Sequence, residues 1–381
     1  VEIAGNRMTK KVSVLIMLIL VMACLVSCNT GTVREPVRSS VLKPETYYTS
    51  FKISACFGRF IETPYGSYFA SGNRYIYYSH KGNTKYVKLC NKPDCSHNSE
   101  DCNAFLKGSV IGYYDNKIYY RRFKHIYCMD MDGCNHKIVK ALYEEHCSNH
   151  GYFHNGYYYY IKTNFAEYNG VKGKDDPTLY RTKVDDKSES EVLLTNDLIL
   201  QTDMFTMIGD NIYISVRNSD PDKISSLYSY STVTKSLSKL TDDWSGLGSY
   251  LKDENKGYCY VKNKGFYEYD FGTNEMSLVK PIELENGGNS SAFYLDDYIL
   301  LVHNNSVPFD YENQVMCIYD RDYNLLNTIV FDKANGKIPG GFLSDVDGYI
   351  IFSSNFRDKP DYYIDKSEIG TDNLQFHKIE D

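Results

Sequence analysis

Cys90, Cys95, His97 and Cys102 stand together in a stretch of thirteen residues and have the residue types of a metal site. Their spacing is C-x4-C-x-H-x4-C. Three thiolates and an imidazole make a tetrahedral zinc set, and four protein ligands leave no open position for a catalytic water. A metal here is therefore expected to be structural. The rival is a disulfide, because the chain begins with an export signal and exported cysteines often pair. Nine cysteines remain beyond Cys24 and Cys28, at 56, 90, 95, 102, 128, 134, 147, 259 and 317. Nine cannot all pair, and three thiols around one histidine leave one odd.

Other constellations are weaker. Cys147, His150 and His154 could hold a metal, but their spacing fits no standard site and they read as polar groups of a loop. Cys128 and Cys134 flank one turn and could pair if they face each other. Asp320 to Asn324 begins like a calcium loop but lacks the glycine at the sixth place and the glutamate at the twelfth, so a plain turn is expected. Asp242-Asp243-Trp244 is an acidic pair beside the single tryptophan, a sugar-stacking candidate that reads more simply as a blade connection. There is no G-x-S-x-G, H-E-x-x-H or phosphate loop.

What must position the Cys/His group is a repeat. Tyr113-Tyr114-Asp115-Asn116-Lys117-Ile118-Tyr119-Tyr120 reads as strand, tight turn, strand. Similar phrases centre on Arg74, Gly156, Asn211, Gly257, Asp297 and Gly348, at spacings of 39 to 55 residues. A second hairpin follows in most units, as in Phe266 to Asp270 with Met276 to Val279. Short strands at such a period predict an all-β fold: a β-propeller of seven four-stranded blades, labelled a to d outward. An eighth blade is the alternative, because Thr46 to Ile61 supplies extra strand material. The first unit departs from the pattern at its c–d turn, where the Cys/His group lies between Leu89 and Asn103. The 37 tyrosines, against 18 phenylalanines, suit strands that meet an apolar interior on one side and water at an edge.

The start of the chain reads as targeting. Lys10-Lys11 precede an apolar run from Val12 to Leu25, which predicts a signal peptide over 1–27, with 1–7 upstream of a start at Met8. Leu25-Val26-Ser27-Cys28 matches the bacterial lipoprotein cleavage box, so Cys28 is the expected lipidation site. Residues 28–43 read as a lipidated flexible tether and 44–381 as one propeller domain.

The stretch from Leu89 to His97, closing with Asp101-Cys102-Asn103-Ala104, together with the cleavage box, resembles uncharacterised propeller lipoproteins of Gram-positive gut anaerobes of the Clostridia type. The resemblance covers the whole mature chain. It implies a propeller on the outer face of the cytoplasmic membrane and names no activity. In strict anaerobes exported thiols can stay reduced, which favours zinc over a disulfide.

A formal charge of −7 argues against a nucleic-acid partner. Even so, the end of each b strand carries a base. Arg122, Lys162, Arg217, His303 and Arg357 would form a positive collar at one channel mouth if they converge; otherwise they are long cations meeting water at strand ends. The expected protein is a monomeric, membrane-anchored binding or scaffolding module for an anionic glycan or an envelope protein. The competing class is a polysaccharide lyase or glycosidase in the channel, for which no carboxylate pair stands out.

Overall fold

The computed structural model describes residues 59–380, apart from 73, 107, 143–146, 163–176, 185–188, 218–224, 245–248, 252–254, 285–288, 305–313, 332–340 and 355–358. Cys28, Arg357, the tether and most of Thr46 to Ile61 lie outside the described residues.

The described residues form seven four-stranded antiparallel sheets, each a meander in chain order. Blade 1 contains β1 (Arg59–Thr63), β2 (Gly66–Ala70), β3 (Ile76–His80) and β4 (Val87–Lys88). Blade 2 contains β5 (Ser109–Tyr114), β6 (Lys117–Arg122), β7 (His125–Asp130) and β8 (Lys137–Ala141). Blade 3 contains β9 (Cys147–His154), β10 (Tyr157–Lys162), β11 (Thr178–Lys183) and β12 (Glu191–Thr195). Blade 4 contains β13 (Thr202–Ile208), β14 (Asn211–Val216), β15 (Ser225–Ser231) and β16 (Leu237–Trp244). Blade 5 contains β17 (Ser249–Leu251), β18 (Lys256–Val261), β19 (Gly265–Asp270) and β20 (Glu275–Pro281). Blade 6 contains β21 (Asn289–Tyr294), β22 (Tyr298–Asn304), β23 (Gln314–Asp320) and β24 (Leu325–Val330). Blade 7 contains β25 (Gly341–Val346), β26 (Tyr349–Ser353), β27 (Tyr362–Asp365) and β28 (His377–Lys378). The fold is the predicted seven-bladed propeller.

Burial explains the residue choice along each blade. Second strands are covered on both faces, as in β10, where Tyr158, Tyr159, Tyr160 and Ile161 are all buried. Outer strands such as β8, β20 and β24 are more exposed and leave Ile138, Leu278, Leu325 and Val330 at the surface. Packing between blades closes the ring. Ile118, Tyr120 and Met129 of blade 2 meet Ile61, Tyr68 and Ile76 of blade 1. At the closing seam Phe60, Phe69 and Tyr86 of blade 1 pack with Val346, Ile351 and Ile379 at the end of the chain. Each such fully buried side chain contributes on the order of 1.5–3 kcal/mol. The tyrosines act mainly as strand filler whose hydroxyls reach partners within and between blades: Tyr160 donates to Ser190 Oγ in its own blade and Tyr260 to Ser290 Oγ in the next, both at 2.9 Å.

The first blade corrects the predicted phase. Its a–b turn is at Pro64-Tyr65, because β1 pairs with β2 from Thr63↔Gly66 to Arg59↔Ala70. The Arg74 turn, at φ +71°, joins the second strand to the third. Phe60 and Ile61, expected as extra material for an eighth blade, belong to the innermost strand of blade 1. In the other six blades the second strand begins within one residue of the position that the repeat marks.

Candidate metal centre on the outer strand of blade 1

The shifted phase moves the Cys/His group. It interrupts the outer strand, not the c–d turn. Tyr77 and Tyr78 pair with Lys88 and Val87, whereas Tyr75 bridges to Phe105 on the far side of the insertion. Ile76 bonds on both sides of the break: its N–H donates to Ala104 O at 2.8 Å and its carbonyl accepts from Leu89 N at 3.0 Å. Residues 90 to 103 therefore loop out from a strand that resumes at its expected place.

Two turns deliver the ligands. Lys92-Pro93-Asp94-Cys95 closes with Cys95 N donating to Lys92 O at 3.3 Å, and proline suits the second position of such a turn. Ser99 to Cys102 closes the same way at 3.2 Å. His97 sits between them at φ +54°, a region that histidine enters more readily than most side chains. The Lys88 ammonium, 4.3 Å from the Tyr75 ring centre, holds His97 O at 2.8 Å. Lys92 Nζ donates to Asp101 O across the base of the loop.

The result brings all four predicted ligands together. One ligand atom from each of Cys90, Cys95, His97 and Cys102 lies within 4.8 Å of every other, and His97 Nδ1 is 3.4 Å from Cys102 Sγ. This group could hold a metal ion. No disulfide links Cys90, Cys95 or Cys102, and Cys128 and Cys134 are likewise free thiols, so that suggested pair does not form. Burial pushes the Cys90 thiol up, but the amides of Lys92 and Asn103 and the neighbouring thiols outweigh it and hold it below the ordinary value. Cys102, buried beneath, is pushed up to about 11, chiefly by desolvation and against the Ala104 amide. Backbone N–H groups aimed at two of the sulfurs are the kind of outer shell that orients thiolate ligands.

The loop docks on the c–d turn of blade 2. Asn91 Nδ2 donates to Asp132 Oδ2 at 3.0 Å and reaches Cys134 Sγ at 2.9 Å. Asn103 Nδ2 donates to Asn91 Oδ1 at 2.9 Å. His136 Nε2 lies 3.0 Å from Asn103 O, and its Nδ1 is 2.9 Å from the Tyr120 hydroxyl. Gly133, at φ +83°, lies so close that a Cβ built on it would fall 2.5 Å from Leu89 O. These docking groups follow no spacing pattern and were not foreseen from sequence. On its other side His97 borders a cavity of about 660 Å3 at the closing seam, with Tyr77, Tyr86, Lys88, Ser354 and Asp361.

The weaker candidates resolve as follows. His154 ends β9, a strand that starts at Cys147, so the presumed loop is the innermost strand of blade 3; burial pulls the His154 imidazole down. Trp244 is 1% exposed and cannot stack a sugar. Asp320 Oδ1 accepts from the amides of Asp322 and Asn324, a self-contained turn. Of the collar residues, Arg122 and Lys162 end β6 and β10, Arg217 follows β14, and His303 lies one residue inside the end of β22. These are corresponding ends of second strands. Arg217 is exposed and the other three are half-buried, with His303 Nε2 3.9 Å from Cys317 Sγ. Arg357 is outside the described residues.

No family model and no curated protein matches the chain. Among solved structures it is similar to TolB from Acinetobacter baumannii, at 14% identity and a TM-score of 0.37 over 85% of this chain and 79% of that one. A chain of a nidogen/laminin complex aligns at 11% identity and a TM-score of 0.37, over 57% of this chain and 75% of that one.

Proposed function

We propose that the chain is a surface lipoprotein whose propeller is a non-catalytic ligand-binding or scaffolding module, stabilised by a structural zinc ion in its first blade. The observation that carries this reading is the tetrad itself. Cys90, Cys95, His97 and Cys102 offer four ligand atoms within 4.8 Å of one another, on the outer strand of a blade. Three sulfurs and one nitrogen match a closed zinc site, and such a site orders a loop without leaving a position for substrate. Cys28 would carry the lipid that holds the protein at the outer face of the cytoplasmic membrane. The ligand would be an anionic glycan or an envelope protein, met at the face where the second strands end.

The metal half is tested by elemental analysis of purified protein, which should give one zinc per chain. A metal-free preparation with Cys90, Cys95 or Cys102 in a disulfide would overturn it. The anchor is tested with Cys28→Ser, which should be released or left unprocessed; a variant that stays on the membrane after signal cleavage would refute lipidation. The binding half is tested by titration with a polyuronate. Saturable binding without turnover supports the module, whereas product formation would establish a carbohydrate-active enzyme in the channel.

A further inference from the structure

We infer that the tight turn Arg121-Arg122-Phe123-Lys124-His125 is a membrane-contact finger that rests the propeller on an anionic bilayer. Phe123 is 81% exposed, the most exposed of the large apolar side chains among the described residues. It occupies φ +50°. A bulky side chain in that region is strained, and a two-residue hairpin turn ordinarily places glycine there. The turn is nevertheless well held. Arg121 Nε donates to Phe123 O at 2.9 Å, and Arg121 Nη1 donates to the Tyr158 hydroxyl of blade 3 at 3.2 Å. Leu142 N donates to Lys124 O at 2.6 Å. A rigid turn thus presents an aromatic ring to solvent among two arginines, a lysine and a histidine, with no acid in the five residues.

Strand direction gives the finger its orientation. Ser109↔Arg121 and Arg59↔Ala70 put the start of each innermost strand at the same end as the close of the second strand. The innermost strand of blade 1 therefore begins, at Arg59, on the face that carries Phe123. The short turns at the two ends also differ in charge. The a–b turns hold Asp115, Asp210, Asp296, Asp297 and Asp347. On the finger's face the other short b–c turns, Ser71 to Tyr75 and Lys262-Asn263-Lys264, are again without an acid; the long b–c loops and the connections between blades there carry both signs. An exposed aromatic ring among bases fits a surface with negative headgroups above an apolar interior. The choice of a bilayer over another anionic surface rests on the proposed anchor at Cys28, which would hold the propeller beside a membrane.

The test uses the full chain in vesicles of phosphatidylcholine, alone or mixed with phosphatidylglycerol. In Phe123→Trp the introduced indole reports the finger, because the native Trp244 is buried and gives a constant background. Its emission should shift to the blue in the anionic vesicles only, and the shift should shrink in high salt as screening shortens the reach of charge. Tyr65→Trp, on the a–b turn of the opposite face and 53% exposed, should not shift. No shift at position 123, an equal shift at 65, or an equal shift in neutral vesicles overturns the finger. A shift produced by soluble polyuronate and not by vesicles overturns it in favour of a glycan contact. The anchor is read separately from the mass of the peptide containing residue 28, so failure of the anchor and failure of the finger are distinguishable.

Discussion

Replacing Gly133 by alanine tests whether the Cys/His loop is seated on blade 2 or merely beside it. Two costs are separable. The first is backbone strain: at φ +83° an alanine loses roughly 1–2 kcal/mol relative to its preferred regions. Part of that loss, about 0.4–1 kcal/mol, is offset because alanine narrows the unfolded ensemble. The second is collision, since the new Cβ would fall 2.5 Å from the Leu89 carbonyl oxygen, a backbone atom that cannot rotate away. Forcing such an overlap typically costs 1–3 kcal/mol. The expected total is about 1.5–4 kcal/mol. Gly348→Ala isolates the first cost, because Gly348 has φ +77° with nothing within 4 Å of the added methyl group; about 0.5–1 kcal/mol is expected there. Urea unfolding at saturating zinc would measure both through the midpoint at constant m. The second assay is zinc transfer to a coloured chelator. Displacing Leu89 disturbs the residue before Cys90, so transfer should be faster in Gly133→Ala and unchanged in Gly348→Ala. Equal midpoints and equal transfer rates for the two variants would refute the seating of the loop on blade 2.

Three further outcomes are expected. His97→Ala should lower zinc occupancy, and chelation of the parent protein should lower its melting temperature, since structural zinc can hold on the order of 10 kcal/mol; differential scanning calorimetry checks both. Arg217→Ala combined with Arg357→Ala should weaken an acidic glycan and leave a neutral one unchanged, whereas equal loss for both would reduce the collar to a solvated rim. Asp345, 6% exposed and paired with Lys366, has its carboxyl raised by burial against the pull of that ammonium. A raised carboxyl contributes stability that is present below the unfolded pKa and lost as pH rises through the folded one. It opposes carboxylates such as Asp130, held low chiefly by its hydrogen bond from Lys117. Asp345→Asn should therefore make stability fall more steeply between neutral pH and pH 4, and a shallower fall in urea titrations would contradict the assignment.

The ring was legible because each second strand is buried on both faces, which forces an unbroken apolar phrase such as Tyr157 to Ile161 behind a turn residue. The metal ligands were legible because thiols and an imidazole in one short stretch are rare by composition and specific in chemistry. The phase of blade 1 was not. Gly72-Asn73-Arg74 has the turn chemistry of the other repeats, whereas the true a–b turn, Pro64-Tyr65, lacks Asn, Asp and Gly at its centre. With the phase shifted, the bases His80 and Lys81 end the third strand and lie at the a–b face, where Lys81 pairs with Asp347 of the blade 7 a–b turn at 3.2 Å. The docking of Asn91 and Asn103 on blade 2 was invisible for a different reason. It joins residues more than thirty positions apart, and no local pattern encodes such a contact.

The position of the Cys/His loop has a mechanical logic within the ring. The blades on either side of the closing seam have the shortest outer strands, two residues each in β4 and β28. A short edge strand adds few backbone bonds and needs support from side chains. Blade 7 supplies it with aromatic and ionic contacts. Phe376 packs on Phe331 and Phe352, and His377 stacks on Tyr363 while its Nε2 meets Glu368 at 2.8 Å. Blade 1 interrupts its outer strand instead, and only Leu89 and Ala104 to Leu106 carry on the pairing beyond Val87 and Lys88. Joining Cys90 to Cys102 through one ion would close the gap in that strand. The same ion would fix Asn91 and Asn103, the residues that hold blade 1 to blade 2, so one metal would tie the weaker edge of the closing pair to its neighbour.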